Sequence, residues 1–220
     1  MKLYLIRGSF DPKVIGRVEV TQSAGMTEGY NYAADNSVYN ISGNDFSGND
    51  FLRVNFEKIK LKPKAVFADY ISSMAISYYS VLILSKSFFD YLQQYNTPLI
   101  YNKKVKIIQP VSNIEPEYQA FFLENQYENI DYGTSVFSTR KIKEDWSSGE
   151  AIKFNNESAL RSFIKELTWE TSFKAVDLKI MTAPDIFRLS QFGGYLVSER
   201  LKEAIEEEDS PALVLNLQRI

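Results

Sequence analysis

The chain of 220 residues contains no cysteine and no histidine. Those two absences remove Ser-His-Asp and Cys-His nucleophile chemistry, thiolate redox, cysteine- or histidine-ligated structural zinc, haem ligation and imidazole-based pH switching. A catalyst built from this chain has carboxylates, lysine, tyrosine or a bound cofactor to work with. Long apolar runs are also lacking. The opening "MKLYLIRGSF" carries one lysine and a four-residue apolar stretch, too short for a signal-peptide core. Elsewhere charged residues interrupt each apolar run before it reaches the length of a membrane span, so the expectation is a cytoplasmic protein that does not enter a membrane. Net charge is small, −3 with a pI near 5.2, which argues against a broad phosphate-binding surface and hence against nucleic acid as a partner. Long Pro/Gly/Ser linkers are missing too, so any two halves should pack on each other.

What is present is apolar and aromatic. Hydrophobic residues make up 45% of the chain, enough for a substantial core, and 14 Tyr with 15 Phe favour a sheet-containing fold. Most of those rings should be core.

The stretch "SGNDFSGNDF", Ser42 to Phe51, repeats five residues word for word. Neither calcium β-roll nor EF-hand spacing is present. A five-residue rhythm continues through Ile41, Phe46, Phe51, Phe56, Leu61 and Val66, as in a pentapeptide solenoid. However, bulky residues such as Tyr39 and Lys64 stand where a tight coil needs small ones. The plainer expectation is a turn segment feeding a strand, "FLRVNFEKIKL".

A second repeat carries more. "LILSKSFFDYLQQYNTP" (Leu82 to Pro98) and "YLVSERLKEAIEEEDSP" (Tyr195 to Pro211) align without a gap, pairing Ser85 with Ser198, Phe88 with Leu201, Leu92 with Ile205 and Pro98 with Pro211. Each reads as a short apolar strand, a serine that caps a helix, one buried helical stripe, and a proline stop. Upstream, Asp69 and Asp185 take equivalent places if a three-residue gap is allowed. Two such carboxylates could do acid-base work or hold a divalent ion, and they could equally serve as caps. Between the units, "NIEPEYQAFFLENQYENI" reads as a helix opening at Pro116, "TSVFSTRKI" as a strand, and "ESALRSFIKELTW" as a helix capped by Asn156 with a stripe of Leu160, Phe163, Ile164 and Leu167. Ser162-x-x-Lys165 has the spacing of a serine-lysine nucleophile pair, but it lies within that amphipathic helix.

Four blocks, "KLKPKAVFADYI", "VLILSKSFFDYL", "IDYGTSVFSTR" and "APDIFRLSQFGGYLVSERLKEAIEE", resemble in that order the immunity proteins of bacterial polymorphic-toxin systems, family eleven first and family forty-three as a neighbour. The resemblance spans roughly Lys60 to Glu208 and is most specific at Pro184–Phe187 and Ser198–Leu201. The chain departs from that pattern in its last segment, "DSPALVLNLQRI", where the family carries a Gly-containing turn and a Phe-bearing strand. The resemblance implies a cytoplasmic antitoxin that binds a cognate toxin stoichiometrically, without catalysis, cofactor or metal.

The sequence therefore predicts an α+β fold with mixed or antiparallel sheets and about four helices, in two packed lobes, 1–110 and 111–220. The expected partner is a toxin domain. Expected contact residues are Trp146, in the loop "KEDWSSGE", and the acidic run Glu206, Glu207, Glu208 and Asp209, which could steer a basic toxin. The alternatives are a hydrolase using Asp69 and Asp185, or a scaffold protein with another partner.

Overall fold

Each half of the repeat forms the strand-serine-helix unit that its residues call for. In the computed structural model β4 (Leu82–Ser85) runs directly into α2 (Lys86–Leu92), and β11 (Gly194–Ser198) runs directly into α4 (Glu199–Glu207). The structure describes residues 2–8, 23–26, 30–37, 46–56, 58–71, 81–109, 116–141, 149–168, 170–182, 184–192, 194–207 and 213–216. Within them it is an α+β fold with four α-helices and three sheets, one mixed and two antiparallel.

The other elements are β1 (Leu3–Gly8), β2 (Ser23–Met26), α1 (Gly48–Arg53), β3 (Lys58–Leu61), β5 (Ile100–Ile108), β6 (Glu117–Leu123), β7 (Val136–Lys141), β8 (Ala151–Ile152), α3 (Glu157–Glu166), β9 (Thr171–Asp177), β10 (Ile186–Leu189) and β12 (Leu213–Asn216). The first sheet runs β10-β11-β1-β12, the second β2-β3-β5-β6-β4, and the third β8-β7-β9. Strands are exchanged across residue 110. β1 lies among the C-terminal strands and β6 among strands that precede residue 110, so the sheets do not follow the division at 1–110 and 111–220.

The core falls into three buried clusters. One face of the second sheet contributes Ile59, Val105, Ile107 and Phe122, which cluster with Phe51 and Phe56. A middle cluster holds Phe88, Leu92 and Phe121 from one repeat unit's surroundings with Tyr195, Val197, Leu201 and Ile205 from the other. The third joins Leu3, Leu5, Phe187 and Leu196 to Phe137, Phe154 and Leu160 under the small third sheet. β6 feeds two clusters, with Tyr118, Ala120 and Phe122 on one face and Phe121 and Leu123 on the other. This explains one departure from the sequence reading. From Ala120 to Leu123 the strand is apolar on both faces and has no polar side to reveal its period of two, so "EYQAFFL" resembles a helical stripe.

A second departure lies in the five-residue repeat. Its latter half opens α1, because Ser47 accepts from the Asp50 amide at 3.2 Å while the Asp50 carboxylate accepts from the Ser47 amide at 3.0 Å, a reciprocal capping box. The expected strand therefore begins only at Lys58. Lys103 reaches over the other end of this helix, donating to the carbonyls of Leu52 and, at 2.7 Å, Val54. The expected helix and strand near the C-terminal half stand as read: Asn156 caps α3 by accepting from Ala159 N at 3.0 Å, and "TSVFSTRKI" contains β7.

Gly48, first in α1, lies against the ring of Tyr101, and a Cβ there would overlap that ring. Gly48→Ala should therefore lower the unfolding free energy by about 1–3 kcal/mol, and in a Tyr101→Ala background the same change should cost far less. Urea unfolding of the four proteins measures that difference. Tyr195 and Tyr118 are 3% exposed, and burial raises both phenol pKa values above the ordinary 10. The folded state holds these protons more tightly than the unfolded one. Their contribution is complete below pH 10 and is lost as pH rises toward their folded values. Stability should fall above about pH 10, with part of the phenolate absorbance appearing only as near-ultraviolet circular dichroism is lost.

Candidate functional site

Asp69 and Asp185 are equivalent in three dimensions as well as in sequence. Ser85 Oγ donates to Asp69 Oδ1 at 2.5 Å, the Ser85 amide donates to Asp69 O at 2.8 Å, and Ser85 Oγ accepts from the Phe88 amide at 3.2 Å. In the second unit Ser198 Oγ donates to Asp185 Oδ1 at 2.7 Å, the Ser198 amide to Asp185 O at 2.9 Å, and Ser198 Oγ accepts from Leu201 N at 3.2 Å. Each aspartate thus orients a serine that caps the following helix. Strand pairing follows suit: Tyr70 opposes Leu84 as Ile186 opposes Val197, and Ser85 opposes Tyr118 as Ser198 opposes Leu3.

The Asp185 carboxylate, in a residue 7% exposed, does more. Its Oδ2 accepts from the Asn96 amide at 3.1 Å and lies 3.4 Å from Arg200, while its own amide donates to Asn96 O at 2.6 Å. Asn96 follows α2, so this side chain ties the end of the first unit to the start of the second. Tyr91 Oη adds a bond to Ala204 O at 3.0 Å, and the Arg200 guanidinium sits over the Tyr95 ring.

A cleft of about 160 Å³ opens where β6 leaves the second sheet. Glu124, Asn125, Tyr127 and Gln191 line it opposite Arg161 and Lys165 of α3; neither Asp69 nor Asp185 does. Its polar groups brace the joint between sheets. Glu124 Oε1 accepts from the Gly48 amide at 2.6 Å, Asn125 Oδ1 from the Ser190 amide at 2.8 Å, and Arg161 pairs with Glu157 at 2.6 Å while covering the Tyr127 ring. Arg188, 4% exposed, donates from Nη1 to Leu123 O at 3.1 Å and lies over the Phe122 ring; burial lowers its pKa. Among the described residues, no group of three or more Asp, Glu, His or Cys is placed to hold a metal ion.

Of the expected contact residues, Glu206 and Glu207 are exposed on the last turn of α4, with Glu206 paired to Lys202 at 2.7 Å. Trp146, Glu208 and Asp209 lie outside the described residues.

The sequence reading missed a charged surface of the opposite sign. On β3, Ile59 and Leu61 face the core, which turns Lys58 and Lys60 outward. On β5, Val105 and Ile107 face the same core, and Lys104 and Lys106 turn outward. The parallel pairing of β3 with β5 places Lys58 beside Lys106. The signal was the alternation in "KIKLKPK" and "KKVKI", hidden by a net charge near neutrality.

The chain matches no known protein family's sequence profile and no curated protein. Among the described residues no helix is long and apolar enough to cross a membrane.

Removing either capping hydroxyl should destabilise the fold, and unequally. Ser198→Ala should cost about 1–2 kcal/mol and Ser85→Ala nearer 0.5–1 kcal/mol, since the buried Asp185 loses a partner in a drier setting. Urea midpoints at pH 7 compare the two.

Proposed function

We propose that this chain acts by binding another protein, as a cytoplasmic immunity protein that neutralises a bacterial toxin in a stoichiometric complex. The observation that carries this reading is the separation of roles within the molecule. The two aspartates of the repeat hold serine caps, and the groups in the cleft brace neighbouring backbone. Strong charge is gathered on solvent-facing surfaces, with lysines on the outer side of β3 and β5 and glutamates along α4. Patches of that kind steer and orient a protein partner.

The sequence blocks resembling immunity proteins fall largely on the two aspartate-serine units, β7 and β10–α4, which are fold-determining elements. The resemblance therefore bears chiefly on the scaffold. The hydrolase alternative requires Asp69 and Asp185 to leave their serines and share a substrate.

Capture of a partner from the native cells with this chain as bait, followed by co-expression with that partner's C-terminal domain, tests the reading. Cells carrying both should grow, the two proteins should co-purify at one-to-one stoichiometry, and Asp69→Asn with Asp185→Asn should leave protection intact if the variant remains folded. Continued killing despite soluble expression of this chain would overturn the proposal.

A further inference from the structure

Four lysines share one sheet face. Lys58 and Lys60 point outward from β3, and Lys104 and Lys106 point outward from β5; Lys104 is paired with Glu117 on the adjoining strand at 3.1 Å, its side chain 72% exposed. Adjacent strands lie about 4.8 Å apart and alternate residues about 6.6 Å, so the ammonium groups form a shallow grid. Lys58 and Lys106 are immediate neighbours across the strand pair, and Glu117 stands opposite Lys106 on its other side, so the face carries four lysines against one described carboxylate. β3 and β5 are interior strands, with β2 and β6 beyond them, so the lysines do not serve to guard a sheet edge. A chain of net charge −3 has nevertheless gathered positive charge here.

We infer that this face docks an acidic surface on a partner protein, whose carboxylates sit over the lysine grid. The inference rests on the reading of this chain as a protein-binding immunity protein and names the surface its partner takes. Protein carboxylates suit the site better than nucleic acid. The neighbours on the same face are Glu117, opposite Lys106, and the pair Asn102 and Gln119, hydrogen-bonded to each other at 3.1 Å; the ring on that face, Phe121 opposite Asn102, is fully buried and offers no surface for a base to stack on. Each cation is a lysine point charge, without the forked guanidinium that reads phosphate in two bonds. The outer face of a five-stranded sheet also cannot enter a groove as a helix or a two-stranded ribbon does.

The test compares wild type with K58Q/K60Q/K104Q/K106Q and with a control, K2Q/K86Q/K153Q/K179Q, which removes the same charge elsewhere. Poly-L-glutamate and a single-stranded oligouridylate of matched charge are the two probes, titrated at low and physiological salt. The face variant should unfold at the wild-type urea midpoint. It should bind poly-L-glutamate about tenfold more weakly or worse, while the control stays within about twofold. Wild-type binding should weaken as salt rises. Equal losses in both variants, or none, would overturn the assignment of this face. Tighter, face-dependent binding of the oligouridylate would overturn the choice of a protein partner. In the co-expression assay the face variant should protect cells less well than the control. Undiminished protection would reject this surface while leaving the immunity reading standing; failure of wild type to protect would reject that reading while the probe titrations still judge the face.

Discussion

A carboxylate in a residue only 7% exposed has to find its hydrogen bonds inside the protein, and Asp185 meets that demand by joining pieces of chain distant in sequence. One oxygen holds the serine that caps α4; the other holds the amide of Asn96, just beyond α2. The backbone amide and carbonyl of Asp185 repeat both connections. A group that serves as cap and brace together fixes the two helices relative to each other, and the middle core forms beneath that arrangement. Removing one partner would leave a buried acceptor unsatisfied, so the network's members depend on one another.

The same device appears once more around Asp69, and the correspondence extends outward through the sheets. In each unit a short strand, the serine-ended strand, a third strand and the strand after the helix stand in that spatial order: the Tyr70 segment, β4, β6 and β5 in one, and β10, β11, β1 and β12 in the other. The third strand enters differently. β6 follows its unit in the chain, whereas β1 arrives from the beginning of the sequence, so one unit is a circular permutation of the other. Both solutions fill the same place because the place is defined by unpaired edge groups of the serine-ended strand, whichever part of the chain supplies the partner.

How much of this was legible depended on the range of the interaction. Caps at Ser85, Ser198 and Asn156 involve residues three apart and could be read directly. So could the three-residue gap that aligns Asp69 with Asp185. β6 was misread because its run from Ala120 to Leu123 is apolar on both faces, and α1 because its Ser47–Asp50 capping box was embedded in a repeat that looked like a turn. The pairing of β1 with β11 joins residues nearly two hundred positions apart, and nothing local announces it. The lysine face escaped for another reason. Total charge sums over surfaces, while a partner meets one surface at a time.

The claim that Asp185 couples the two repeat units is open to one direct measurement, native-state hydrogen exchange of Asp185→Asn against wild type. The amides of Asn96 and Leu201, one at the end of the first unit and one inside the second helix, should lose protection together and by similar factors. Faster exchange at Leu201 with Asn96 unchanged would show that the carboxylate serves only its own helix, and would contradict the account.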